Sequence, residues 1–285
     1  LRGRAGEPAM ACTADRVQPR SRRGEIVTVQ LFVFDSSRPV LEAVAGPDAV
    51  HRADAIVVDW ERSGKEERQS HAAALLGFDT QIAPDSPVDL DAVVAYSTVP
   101  VICRVDSWAH SGRSDLSRAI DSGVSEVIVP MVRGPSEVEQ SLSAADGRAG
   151  VGVMIETVAA VAAAGEIASL PIARAYLGLM DLALERRTPD IFSALTDGTL
   201  DQVAEELGGI PFGFAGLTVP GRGFPVPTRT LATEMLRVGA SFTFLRRSFL
   251  ADAGSDLAGG LRDIRGMLVD LTSPVTVSEP MPAVR

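Results

Sequence analysis

The chain has 285 residues, a formal net charge of -10 and 46% hydrophobic residues, which is enough to bury a sizeable core in one large domain. Its acidity argues against a nucleic acid or an anionic membrane as partner, since both require a clustered basic surface, and no apolar run approaches the roughly 18–20 residues of a membrane span. Two cysteines, Cys12 and Cys103, are too few for a disulfide framework and fit a reducing, cytoplasmic setting.

Residues 1–25 are rich in Arg, Pro and Gly without periodicity and are expected to be a disordered extension. Beyond them, short apolar runs alternate with longer amphipathic stretches. Strands are expected over 26–34, 55–60, 101–105, 126–130, 151–156, 175–178, 212–216 and 242–245. Alternation of this kind signals strand-helix units around a parallel sheet buried on both faces, and eight units over residues 26–270 fit a closed (β/α)8 TIM barrel of the α/β class. An open doubly wound sheet is the second architecture that fits. Between the strands, Leu116, Ile120 and Val124 recur at four-residue steps, and Val158, Val161 and Ile167 mark another helical stretch, so these positions are expected in the core. Thr80 to Ile82 is expected to belong to an irregular insertion over 63–87, and residues 271–285 to a loose tail with prolines.

In such a barrel the reacting groups lie at the C-terminal ends of the strands. The polar residues that follow the apolar runs are Asp59 with Glu61, Arg104, Met131 with Arg133, Glu156, Asp181, Thr218, and Arg246 with Arg247. Glu156 and Asp181 each end a short buried run, and neighbouring carboxylates at strand ends suit a hard cation such as Mg²⁺, which takes one or two protein carboxylates and leaves its other positions to water and an anionic substrate. Both residues could instead cap the helices that follow. A guanidinium beside them would neutralise a substrate carboxylate or enolate oxygen, the role expected of Arg104, whose alternative is a structural pairing with Asp59 or Asp106. Of Asp59 and Glu61, only one, Asp59, is expected to face the site directly. Arg246 and Arg247 fit either ion-paired rim residues or a contact to a distal substrate carboxylate. Lys65 is the only lysine; it lies in a polar stretch with Arg68 and Gln69, expected to be a solvated helix start whose place after a strand leaves a substrate contact open, and imine chemistry on a buried lysine is not expected.

The segments Asp54-Ala-Ile-Val-Val-Asp-Trp-Glu61, Val101-Ile-Cys-Arg104, Val127-Ile-Val-Pro-Met131, Val153-Met-Ile-Glu-Thr157 and Gly178-Leu-Met-Asp181-Leu182 together resemble the HpcH/HpaI aldolase and citrate lyase β-subunit superfamily, over about residues 26–250. The resemblance implies a phosphoenolpyruvate/pyruvate-binding barrel that makes or cleaves a carbon-carbon bond next to a carbonyl with Mg²⁺, Mn²⁺ or another divalent ion. It implies Glu156 and Asp181 as metal ligands, Arg104 as the arginine that stabilises enolate charge, and Asp59 and Glu61 as the acidic pair supporting metal-bound water. The turn of Gly178, Met180 and Asp181 would bind the substrate carboxylate through its amides. It further implies a small-molecule oxo-acid substrate and a homo-oligomer. The chain departs from the pattern in having Arg62 where the aldolases have a histidine base, and Met154 where they have a polar residue. A thioester lyase and a non-catalytic carboxylate-binding barrel are the alternatives.

Overall fold

The structure, a computed structural model, describes residues 28–64, 68 and 87–273. Its strands are β1 (Gln30–Val33), β2 (Ala55–Asp59), β3 (Val101–Arg104), β4 (Glu126–Val129), β5 (Gly150–Ile155), β6 (Arg174–Leu177), β7 (Phe212–Leu217) and β8 (Phe242–Leu245). Each pairs in parallel with the next and β8 pairs with β1, closing an eight-stranded barrel. Around it run α1 (Arg38–Val44), α2 (Pro87–Tyr96), α3 (Gly112–Asp121), α4 (Pro135–Ala145), α5 (Val158–Ala162), α6 (Ala164–Ala168), α7 (Leu179–Arg186), α8 (Thr199–Glu206), α9 (Thr228–Val238), α10 (Ser248–Ala253) and α11 (Leu257–Thr272). The fold is therefore the expected (β/α)8 barrel, and the eight expected strands are the eight observed.

The two-residue period of a strand sorts its side chains between two layers. In β2, Ile56 and Val58 pack outward against the helices, while Ala55 and Val57 join Phe32, Ile102, Ile128, Met154, Tyr176, Phe242 and Phe244 in the barrel interior. Continuing the inward parity past the apolar residues reaches Asp59 from β2, Arg104 from β3 and Glu156 from β5, so strand geometry alone aims these charges at the barrel axis. At the opposite, N-terminal end, Arg174 meets Glu126 at 2.7 Å and lies over the rings of Phe32 and Phe242 at 4.8 and 4.9 Å. That pair closes the floor.

Helix α3 buries Leu116 and Ile120 as their spacing predicts. The stretch beginning at Val158 differs from expectation: Val161 and Ile167 are buried, but Val158 is 46% exposed. A four-residue spacing fixes the face of a helix and not how far the barrel extends beneath it, and Val158, as the first helical residue, lies at the rim. Among the described residues no helix is long and apolar enough to cross a membrane. Residues 1–25, the segment Thr80 to Ile82, Lys65, Gln69 and residues 274–285 lie outside the described residues; Leu271 and Thr272 complete α11.

Candidate active site

A cavity of about 1260 Å³ opens at the C-terminal ends of the strands, and Asp59, Arg104, Glu156, Gly178, Met180 and Asp181 all line it. The residues singled out at separate strand ends are thus brought to one place. Glu156 is 1% exposed. Its Oε1 accepts a hydrogen bond of 2.8 Å from the backbone N–H of Met131, and Met131 holds a left-handed φ of 56° to present that amide. A non-glycine residue in this region costs on the order of 1–2 kcal/mol, which the surrounding barrel must offset. Burial, and then the charges of Asp181 and Glu61, push the Glu156 carboxyl well above the usual range against the opposing pull of Arg104 and the Met131 amide.

The capping alternative for Glu156 does not hold. Thr157 is the residue that caps α5, its hydroxyl accepting from the Ala160 amide at 3.0 Å while donating to the Val132 carbonyl at 2.8 Å. Glu156 is left to face the cavity. Gly178 makes that possible, since a Cβ there would stand 2.6 Å from the Glu156 Cβ and overlap its carboxylate. Asp181 sits in the first turn of α7, whose N-cap is Gly178. There the helix dipole favours an anion, and the amides of Leu179, Met180 and Asp181 precede the first intrahelical bond.

Arg104 is buried and bound at three points. Its Nε and Nη2 donate to the two Asp59 oxygens at 3.0 and 2.7 Å, and its Nη1 pairs with Glu61 Oε2 at 3.1 Å. Its guanidinium carbon lies 5.0 Å from the centre of the Phe34 ring, and Nη1 reaches the Met154 sulfur at a weak 3.8 Å. Burial would lower its pKa, but the charges of Asp59 and Glu61 outweigh burial and raise it well above the ordinary value, so the guanidinium is permanently charged. Asp59 lines the cavity and Glu61 does not, but both bind Arg104. Residues two apart in an extended segment share a face.

Arg68 is helical as expected, but its side chain is not left to solvent: it is the second guanidinium of the cluster. Its Nε donates to Asp181 Oδ1 at 2.8 Å, its Nη2 to Glu61 Oε1, and its Nη1 to the Ser63 carbonyl at 3.2 Å. Carboxylates and guanidiniums therefore alternate in an unbroken chain, Asp59, Arg104, Glu61, Arg68, Asp181, with Glu156 beside its end. Nothing in the sequence marks Arg68 out, since a long side chain in a polar stretch normally faces water. Asp106 was also missed as an organiser: it accepts from the Ser63 hydroxyl, from the Ser63 and Ser107 amides and from the Ser111 hydroxyl, fixing the β2 loop to the end of β3.

Of the remaining expected positions, Arg246 and Arg247 line the cavity, while Thr218 and Arg133 do not. Arg246 donates from all three of its nitrogens to backbone carbonyls, Gly216, Phe224 and Val226, at 2.8 to 3.3 Å; it braces the loop after β7, and Gly221, Arg222, Gly223 and Phe224 of that loop line the cavity. Arg247 also lines the cavity and lies within the fields of Arg104, Asp59, Glu61 and Asp181. Thr218 is buried and donates to Asp252 at 2.6 Å, and Arg133 pairs with Glu185 at 3.4 Å on the exterior. Arg62 pairs with Asp115 at 3.0 Å and is not among the residues lining the cavity. Among the described residues no histidine lines it either; His110 is occupied with the Ser107 hydroxyl at 2.7 Å.

No family model and no curated protein matches the chain. Solved structures do. An HpcH/HpaI aldolase/citrate lyase family protein from Burkholderia cenocepacia J2315 superposes with a TM-score of 0.56 at 15% identity, covering 86% of this chain and 95% of that one. The two share a fold. RipC from Yersinia pestis matches with a TM-score of 0.56 at 13% identity over 88% of this chain and 98% of its own. 3-Hexulose-6-phosphate synthase from Salmonella typhimurium matches with a TM-score of 0.57 at 15% identity over 86% and 100%. Barrels bearing different activities thus superpose equally well, and what this chain does has to be argued from its site.

The donor set fits a divalent cation. Among the described residues no three His, Cys, Asp or Glu side chains form a metal-holding group, but Mg²⁺ commonly draws only one or two carboxylates from the protein, and Glu156 with Asp181 could supply two. The burial and like charge that disfavour the Glu156 anion are what a cation would relieve.

Proposed function

We propose that this barrel is a divalent-metal-dependent carbon-carbon lyase of the aldolase type, cleaving a 4-hydroxy-2-oxo acid to pyruvate and an aldehyde, or running that reaction in reverse. The observation that carries the reading is the convergence of Glu156, Asp181 and the buried Arg104 on one cavity at the strand ends. Five segments of the sequence that resemble the HpcH/HpaI superfamily supply these residues, and solved proteins of that family share the fold.

Glu156 and Asp181 would hold the ion, which when bound supplies a Lewis acid for the oxo-acid oxygens. The N-terminal amides of α7 would receive the substrate carboxylate, because they carry unused donors and the positive end of the helix dipole. Arg104, fixed in place by both oxygens of Asp59 and by Glu61, lines the cavity, where enolate charge would develop during cleavage. A donor held rigidly in this way needs no reorganisation as the charge forms, and removing one such donor typically costs about 10² to 10³ in rate.

The test is pyruvate release from a panel of 4-hydroxy-2-oxo acids and decarboxylation of oxaloacetate, with Mg²⁺, with Mn²⁺ and with a chelator. Turnover that needs the ion supports the reading. Turnover indifferent to the chelator, or none with any substrate or ion, contradicts it.

A further inference from the structure

Arg68, beyond the C-terminal end of β2, binds two of the carboxylates of the site. Its guanidinium bridges Glu61 and Asp181 with one donor to each carboxylate, and its third nitrogen is held by the Ser63 carbonyl at 3.2 Å. Its side chain is 21% exposed and that of Asp181 only 12%. On the metal reading Asp181 would also hold a divalent ion, so the same carboxylate would face two cations of different kinds.

We propose that Arg68 is a resident counter-cation of the Asp181 carboxylate which competes with the divalent ion and must swing out of the site when the ion binds. The inference rests on the metal reading of Glu156 and Asp181. Two cations drawn to one carboxylate exclude or weaken each other in proportion to the charge and bonds each would lose, and the linkage is reciprocal: whatever Arg68 takes from metal affinity, the metal takes from Arg68. The geometry favours a movable rather than a fixed cation. Arg104 is clamped by two oxygens of Asp59 and one of Glu61 inside the barrel, whereas Arg68 is held by single bonds to Glu61, Asp181 and the Ser63 carbonyl and keeps part of its surface in solvent. Ser63, which accepts from Arg68, is itself anchored by Asp106. That anchor leaves the base of the loop in place while the arginine rotates about its own long stem. The occupied state has a clear physical benefit, since without the ion Arg68 screens Glu61 and Asp181 from each other and from Glu156.

The test is Mn²⁺ binding followed by electron paramagnetic resonance on the full chain, comparing wild type, Arg68→Met, Arg68→Lys and Asp181→Asn. Loss of one charge-assisted bond to the ligand carboxylate should tighten Mn²⁺ binding by about tenfold in Arg68→Met, with Arg68→Lys falling between it and wild type. A merely structural arginine would not produce that gain. Wild-type binding that is abolished by Asp181→Asn but unchanged or weakened by Arg68→Met overturns the competition and leaves the metal site standing. Binding in none of the proteins overturns both. A second measurement avoids substitution of Arg68. Labelling of the wild type with the arginine reagent phenylglyoxal, mapped by mass spectrometry, should show faster modification of Arg68 when Mn²⁺ is present, and no such change in Asp181→Asn. Slower or equal labelling in the wild type contradicts the displacement.

Discussion

Gly178 offers the sharpest test of how the barrel makes room for its buried carboxylate. A Cβ at this position would lie 2.6 Å from the Cβ of Glu156, well inside contact distance, and the atom it meets is fixed to the strand end and cannot swing aside. The backbone of Gly178 is not the obstacle, because its φ of -84° is open to any residue. Substitution by alanine must therefore part β5 from β6 or rotate Glu156. Overpacking of this kind costs about 1–3 kcal/mol, which for a domain of this size corresponds to a fall in Tm of roughly 2–12 °C. Displacing the carboxylate by about an ångström should also cost on the order of 10² in turnover. Gly165 is the control: it lies inside α6 with nothing within 4 Å of its missing Cβ, so Gly165→Ala should stabilise by about 0.5–1 kcal/mol through helix propensity alone. Denaturant unfolding of the two variants should give changes of opposite sign. A Gly178→Ala protein as stable as Gly165→Ala would refute the steric argument.

Three further outcomes follow from the same contacts. Arg104→Ala leaves the buried Asp59 and Glu61 without their shared cation and should cost about 3–5 kcal/mol in equilibrium unfolding, well beyond a surface arginine change. Burial would raise Asp106, but its hydrogen bonds from Ser63, Ser107 and Ser111 outweigh burial and hold it below its ordinary value. Its stabilising contribution is therefore present above the usual carboxylate range near pH 4 and lost as pH falls through the lower folded value, so Asp106→Asn should flatten the loss of stability measured below about pH 4. Arg246→Ala removes the three bonds that tie the β7 loop to Gly216, Phe224 and Val226, and hydrogen exchange of residues 219–227 should accelerate by tenfold or more, while exchange of the β3 amides stays unchanged.

The fold was legible because its signal is repeated and local. Runs such as Ile56, Val57 and Val58 are buried on both sides, which writes a parallel strand directly into composition, and the closing polar residue of each run marks the mouth. Asp59, Arg104 and Glu156 could be placed on the interior because strand parity continues across the strand end. What stayed hidden depends on contacts between distant segments. Arg68 reaches Asp181 across 113 residues of sequence, and no periodicity encodes that meeting. The roles of Arg246 and Arg62 were obscure for a related reason: an arginine after a strand can turn into the cavity, brace a loop or pair outside, and only the neighbouring backbone carbonyls or Asp115 decide which. Val158 had the correct helical spacing and still lies exposed, since spacing carries no information about where the barrel layer ends.

The most direct test of the account is the rate of metal-dependent pyruvate release from a 4-hydroxy-2-oxo acid in wild type beside Glu156→Gln, which keeps the size of the side chain and an acceptor for the Met131 amide while removing the charge. The account predicts turnover in the wild type that the chelator abolishes, and a loss of at least about 10² in the variant at a fixed ion concentration. Equal turnover in the two proteins would contradict the assignment of Glu156 to the metal and with it the proposed chemistry of the site.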